Sequence, residues 1–217
     1  MSPDKVRRQL YEEKVVVIHR EKDAETVRRK ARAAREGGLG IQEITWTTPD
    51  AVKLIAEFTK EGLGTIGAGT ILTVADAKKA VAAGAKFLVS PVYTPEVNAW
   101  SKKNKIVYIP GCGTVNEIYR AWEEGARPVK VFPAPDLGGP GYIKRILAPL
   151  PELELLPTSG LGVNDLRPYL DAGAKAIGLG SAFTHAPEVV AGDYGALTRL
   201  AMQVREWVGG GRVLAKV

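Results

Sequence analysis

Short apolar runs alternate with longer amphipathic stretches along the whole chain. The runs are rich in β-branched residues and lie roughly 20 to 25 residues apart, which leaves room for one helix and two loops between consecutive strands. They predict strands near 15–19, 41–45, 64–68, 86–90, 106–110, 128–133, 153–157 and 175–179. The stretches between them carry apolar residues at helical spacing. They predict helices over 4–13, 25–37, 50–61, 74–83, 95–103, 115–124, 142–150, 164–172 and 194–208.

This alternation predicts an α/β fold, a single (β/α)8 TIM barrel with an extra N-terminal helix that closes its bottom. We expect one domain over residues 1–217, a length within the range of such barrels. An open doubly wound sheet would need a glycine-rich turn after the first strand, but Arg20-Glu21-Lys22-Asp23 follows it. In TIM barrels the chemistry lies at the carboxyl ends of the strands, so the residues there are the candidates to examine.

One of the predicted buried strands contains a lysine, Lys130, between Val129 and Val131. Burying an unpaired ammonium costs several kcal/mol, so such a lysine is paired, is made neutral or is used. A lysine made partly neutral by desolvation is a nucleophile suited to forming a Schiff base with a carbonyl. The alternative is that Lys130 extends to the strand end or joins a structural ion pair.

Glu43 lies in the second predicted strand, two residues after Ile41, so its carboxylate is expected to face the barrel interior. A carboxylate and a lysine in one dry cavity supply a base and a nucleophile. The alternative is a buried Glu43–Lys130 salt bridge without catalysis. We favour catalysis, because a hydrophobic pair would usually serve stability as well or better.

Two strand ends are candidates for holding a substrate anion. The third strand runs into Gly67-Ala68-Gly69-Thr70, where glycines let backbone N–H groups approach a ligand and Thr70 adds a hydroxyl donor. Arg20 closes the first strand, where its guanidinium could hold a carboxylate through two hydrogen bonds. The alternatives are a tight turn and an exposed arginine.

The last two strands end in small and hydroxyl residues, in Pro157-Thr158-Ser159-Gly160 and Gly178-Leu179-Gly180-Ser181. Barrels often bind phosphate between the loops that follow these two strands. The sequence therefore predicts a phosphate site here.

Composition narrows the classes of partner. The single cysteine, Cys112, excludes an internal disulfide framework, and it is too few, with the lone histidines His19 and His185, for a metal site, so we expect no metal. The net charge of +6 is compatible with a nucleic-acid surface or with anionic small molecules. No basic stripe is interleaved with aromatic residues, so we expect no nucleic acid partner. There is no long apolar run or signal-like start, so we expect a cytoplasmic protein without a membrane partner.

Taken together, the motifs resemble the 2-keto-3-deoxy-6-phosphogluconate aldolase family, small class I aldolases also active on 4-hydroxy-2-oxoglutarate. The resemblance runs from about Val15 to Leu200. The residues that carry it are Glu43-Ile44-Thr45, Gly67-Ala68-Gly69-Thr70, Phe87-Leu88-Val89-Ser90-Pro91, Ile109-Pro110-Gly111, Lys130-Val131-Phe132-Pro133-Ala134, Pro157-Thr158-Ser159-Gly160 and Gly180-Ser181.

The resemblance implies a (β/α)8 barrel, a homotrimer, and a reaction that needs no cofactor because Lys130 itself forms the Schiff base with the keto acid substrate. It implies that Glu43 moves the protons. The part of the substrate that becomes pyruvate would be held by Arg20, Gly69, Thr70, Pro91 and Thr47. The phosphate or distal part would be held by Thr158, Ser159, Gly160, Gly180 and Ser181.

The chain departs from the family pattern at two positions. Thr47 stands where many members have an arginine, and Ser159 stands where many have a second glycine. Both bear on substrate preference, which stays open between phosphorylated gluconate or galactonate derivatives and 4-hydroxy-2-oxoglutarate. Two other functions also stay open: a phosphosugar isomerase or epimerase with Glu43 as base, and a non-catalytic barrel that binds anions.

Overall fold

The computed structural model describes residues 1–209, so residues 210–217 of the expected domain lie outside the described residues. The described strands, β1 to β9, are Val15–His19, Ile41–Thr45, Thr65–Gly69, Phe87–Val89, Val107–Ile109, Gly111–Cys112, Val129–Val131, Leu155–Pro157 and Ile177–Leu179. The described helices, α1 to α11, are Pro3–Glu13, Ala24–Glu36, Ala51–Glu61, Val74–Ala82, Pro95–Lys103, Val115–Glu123, Gly139–Leu147, Leu166–Asp171, Ser181–Thr184, Pro187–Val190 and Tyr194–Val208. A short 3₁₀ turn, Val163–Asp165, precedes α8.

The strands form an α/β fold with a curled parallel sheet. One sheet has the order β5-β4-β3-β2-β1-β9 and a second has the order β6-β7-β8. Pro110 separates β5 from β6, since a proline has no N–H to donate to a neighbouring strand. Its carbonyl still accepts a hydrogen bond from the backbone N–H of Lys130 (2.9 Å). On the other side, a parallel bridge joins Thr158 to Gly178.

Alternate residues of each strand point to opposite sides of the sheet, and the two sides bury different clusters. Ile41 packs on the inner face with residues such as Ile18 and Phe87. Ile44 points outward and packs under the helices with Leu54. Glu43 has the same parity as Ile41, so the strand delivers its carboxylate to the inner face.

The first helix packs against one end of the inner face. Ser2 caps α1, and Val6 and Leu10 belong to the same buried cluster as Ile18 and Ile41. The two apolar residues are spaced four apart, so they share one side of the helix. The helix therefore packs through this side against the cluster of the inner face.

The other elements follow local signals in the sequence, with two differences. Helix α7 begins at Gly139 rather than near 142, because the glycines after residue 137 are taken up in its first turn. The short helices α9 and α10 were not predicted, since four residues are too few to show a helical period. Among the described residues, no helix is both long and apolar enough to cross a membrane.

Gly67 is required by packing on the inner face, and its substitution gives a test of this arrangement. A Cβ at Gly67 would overlap the ring of Phe87. We expect Gly67→Ala to reduce the free energy of unfolding by about 1–3 kcal/mol. Gly141→Ala is the matched control, because the nearest atom to its new Cβ is an Arg145 side-chain atom at 3.8 Å. Urea unfolding checks both variants, and equal losses would contradict the packing described.

Candidate active site

A cavity of about 270 Å³ opens at the carboxyl ends of the strands. Most of the candidate residues from the sequence line it: Arg20, Glu43, Lys130, Thr158, Ser159, Gly160, Gly180 and Ser181. They come from β2 and β7 and from the segments after β1, β8 and β9. The curl of the sheet thus brings strand ends that are distant in the chain around one space.

Lys130 extends from the middle of β7 into this cavity. Its residue surface is 7% exposed, and its Nζ lies 4.8 Å from the centroid of the Phe132 ring. Burial lowers the pKa of the Lys130 amine, the Glu43 carboxylate opposes that change, and Arg20 adds to it. The amine is therefore closer to its neutral, nucleophilic form than an exposed lysine would be.

Glu43 is 3% exposed and lies close against Gly69. A Cβ at position 69 would overlap the Oε1 atom of Glu43, so the glycine makes room for the carboxylate. Burial raises the pKa of Glu43, while Lys130 and Arg20 lower it. Gly69 thus acts behind the carboxylate and is not among the residues that line the cavity.

Lys130 and Glu43 do not form a direct ion pair. In the described part of the chain, no nitrogen–oxygen distance between them is within 4.0 Å. The charge of each residue shifts the pKa of the other, although no hydrogen bond between the two side chains is found in this part of the chain. The alternative of a direct Glu43–Lys130 salt bridge therefore does not describe this part of the structure.

Arg20 lines the cavity, and its Nη2 donates to the Thr70 hydroxyl (3.2 Å). Thr70 has a left-handed backbone (φ 61°) and is not part of the cavity lining. The two other residues assigned to the keto acid part, Pro91 and Thr47, also lie outside the lining. Thr47 is exposed and contacts the Thr45 hydroxyl (3.2 Å). Of this group, only Arg20 reaches the cavity directly.

The segment after β8 has an unusual backbone for its sequence. Ser159 has φ 112°, a value that favours glycine, and Gly160 follows with φ 61°. The Thr158 hydroxyl is buried and has no hydrogen-bond partner among the described residues. A Cβ at Gly178 would lie 2.6 Å from that hydroxyl, so a glycine is needed beside it. Buried hydroxyls are normally paired, so this one is available to a ligand.

Four further residues, to none of which the sequence assigned a substrate contact, also line the cavity: Ile18, Phe132, Thr184 and His185. The two-residue period of strands could have indicated Ile18, two before Arg20, and Phe132, two after Lys130. Nothing local indicated Thr184, which ends a helix too short to leave a pattern, or a substrate contact for His185, which directly follows that helix.

The remaining candidates lie away from the chemistry. Burial raises the pKa of the Cys112 thiol to about 12, which leaves it unreactive as a nucleophile. His19 points to the helix side, where its Nε2 donates to Gln42 Oε1 (2.8 Å). Among residues 1–209, no three His, Cys, Asp or Glu side chains are grouped so that they could hold a metal ion.

A buried amine and a buried carboxylate that face one strand-end cavity in an α/β fold are typical of enzymes that form a Schiff base with a carbonyl substrate. The family model described as "Aldolase: KDPG and KHG aldolase" matches residues 6–200. The chain therefore belongs to this family, in which KDPG is 2-keto-3-deoxy-6-phosphogluconate and KHG is 4-hydroxy-2-oxoglutarate. The resemblance inferred from the motifs is confirmed, and it favours an aldolase, a lyase, over an isomerase or a non-catalytic protein.

Individual relatives agree with this assignment. The 2-dehydro-3-deoxy-phosphogluconate aldolase of Treponema pallidum is 37% identical over 196 residues, which is 90% of this chain and 92% of that protein. The KHG/KDPG aldolase of Escherichia coli K12 is 32% identical over 179 residues, 81% of this chain and 83% of that one. The KDPG aldolase of Legionella pneumophila, solved with pyruvate captured as a covalent carbinolamine, is 29% identical with a TM-score of 0.84 and covers 94% of this chain and 98% of its own.

The charges around Lys130 predict opposite effects of two substitutions on its pKa. Glu43→Gln removes the charge that favours the ammonium, so the pKa of Lys130 should fall. Arg20→Gln removes a repulsion, so that pKa should rise. Cyanate reacts with the neutral amine. The extent of Lys130 carbamylation, measured by mass spectrometry across a pH series, therefore gives the pKa of Lys130. Shifts of the same sign in both variants would contradict the electrostatics described.

His19 predicts a loss of stability in acid. Burial lowers its pKa from 6.5 to about 4. As the pH falls from 6.5 to 4, the unfolded chain takes up a proton that the folded chain refuses, and the loss reaches about 3 kcal/mol. Urea unfolding at pH 7 and pH 4 should show a smaller pH dependence in His19→Asn than in the unsubstituted protein. Parallel pH dependences would contradict this role.

Proposed function

We propose that this chain is a class I, metal-independent aldolase that reversibly cleaves KDPG to pyruvate and glyceraldehyde 3-phosphate, with KHG, cleaved to pyruvate and glyoxylate, as a second substrate. The observation that carries the proposal is the buried Lys130 amine across a shared cavity from the buried Glu43 carboxylate. Family membership supplies the reaction class, and the substrate is a small keto acid.

Each bond change can be assigned to the two residues. The Lys130 Nζ attacks the C2 carbonyl, giving a carbinolamine that loses water to form an iminium. The iminium accepts the electrons of the C3–C4 bond as Glu43, directly or through a water, takes the proton of the C4 hydroxyl. Glyceraldehyde 3-phosphate leaves, and the resulting enamine is protonated at C3. Hydrolysis of the new iminium releases pyruvate and the free amine, so no cofactor is needed.

The cavity lining suggests how the substrate lies. Arg20 is a cation in the cavity lining and would hold the C1 carboxylate, with Thr70 orienting the guanidinium. Thr158, Ser159, Gly160, Gly180 and Ser181 would hold the distal phosphate. The unpaired Thr158 hydroxyl supports this placement. With Thr47 outside the lining, Arg20 would carry the contact that many family members give to a second arginine.

We infer a complete eight-unit barrel as the architecture that holds this site, as one domain. Strands β5 and β6 would count as one barrel strand over residues 107–112 that is interrupted at Pro110. The Thr158–Gly178 bridge supports closure of the barrel between β8 and β9. Val6 and Leu10 on α1 support a helix that covers the bottom. We also expect the whole protein to form a homotrimer and to be cytoplasmic. The exposed apolar Leu72 and Val92, each just after a strand, offer surface for such contacts.

Trapping of the covalent intermediate tests the proposal. With pyruvate and borohydride we expect a stable adduct on Lys130, and Lys130→Arg should give no adduct and slow pyruvate release from KDPG by at least about 10³-fold. Lys175→Arg is the control, since Lys175 is exposed and precedes β9. Peptide mass spectrometry locates the adduct, and coupled assays on KDPG, its galactonate analogue and KHG rank the substrates. An active enzyme that forms no Lys130 adduct would contradict the proposed mechanism.

A further inference from the structure

A histidine on the cavity wall is tied to a buried ion pair. The Nε2 of His185 lies 2.9 Å from both carboxylate oxygens of Glu21. The same carboxylate accepts a hydrogen bond from the Lys30 Nζ at 2.8 Å. The side chains of Glu21 and Lys30 are 8% and 4% exposed, whereas that of His185 is 37% exposed. Three side chains thus form a row from the interior to the cavity.

The order of charges in this row matters. Lys30 neutralises Glu21 from the buried side, so the carboxylate does not depend on His185 for its counter-charge. Glu21 fixes the imidazole instead, because a ring nitrogen that faces a carboxylate must be the protonated one. The other nitrogen, Nδ1, has no hydrogen-bond partner among residues 1–209. The ring is therefore held in place with one polar atom unused.

His185 also belongs to the end of the cavity where the phosphate is expected. It directly follows α9, which begins at Ser181, and its backbone N–H donates to the Ser181 carbonyl (2.8 Å). Both residues line the cavity. A phosphate oxygen that accepts a hydrogen bond from this ring would take it from Nδ1, the nitrogen that does not face Glu21.

We propose that His185 is a specificity-determining residue that recognises the phosphate of the keto acid. This proposal rests on the proposed aldolase function. Glu21 holds the ring through Nε2, and Nδ1–H donates to a phosphate oxygen. The preference for a phosphorylated over an unphosphorylated substrate then depends on a side chain that no local sequence pattern indicates. Glu21 and Lys30 are positioning residues in this arrangement, because they act through the histidine.

The test compares two substrates that differ only in the phosphate: KDPG and 2-keto-3-deoxygluconate. For His185→Ala we expect kcat/KM with KDPG to fall about tenfold, mainly through KM, while kcat/KM with the unphosphorylated acid changes less than twofold. Pyruvate trapping on Lys130 by borohydride should match the unsubstituted protein. His185→Gln keeps an amide donor, so we expect a selective loss of about threefold.

A merely structural role gives a different result. If His185 only ties the loop after β9 to the end of β1, either variant will affect both substrates equally or neither, and the proposal is then wrong. If His185→Ala does not fold, the same comparison in His185→Gln decides. An unsubstituted protein that releases pyruvate from neither substrate would instead overturn the aldolase function itself. The two failures are therefore distinguishable.

Discussion

The structure depends on keeping a buried ammonium and a buried carboxylate close enough to influence each other but without contact. Lys130 and Glu43 each lose hydration, and their opposite charges only partly offset that cost. A direct ion pair would be better for stability and would close the space for a substrate. The strand framework prevents this collapse, because each side chain leaves the middle of a different strand whose backbone is fixed by its neighbours. The open, charged cavity is therefore less stable than a directly paired arrangement would be.

Glycines create much of the space that this arrangement needs. Gly69 leaves the volume that the Glu43 carboxylate fills, and Gly178 does the same for the Thr158 hydroxyl. Gly67 admits the Phe87 ring on the inner face. In each case the missing Cβ is replaced by a side chain from the adjacent strand. The small residues at strand ends therefore shape the positions of larger neighbours as well as allowing turns, a role different from the anion contacts that the sequence alone suggested for Gly69.

The sequence was sufficient for features set by local periodicity. The runs of β-branched residues located the strands within a few residues, and the parity of Ile41 and Glu43 was enough to aim a carboxylate inward. It was insufficient where contacts join distant segments. The link between His185 and Glu21 spans 164 positions, and the break at Pro110 divides a run that reads as continuous. Thr47 stands at a motif position where many family members have an arginine, but the turn after β2 leaves it exposed. Periodicity carries no information about such long-range geometry.

The pairing of β1 with β9 has a consequence for the order in which the molecule can be made. The first strand emerges from the ribosome long before its partner at 177–179, so one of its edges waits unpaired through most of synthesis. Contacts of such high sequence separation are slow to form. The part of the cavity wall that Gly180 and Ser181 supply therefore forms only after nearly the whole polypeptide has been translated, so the cavity is complete only in the finished chain.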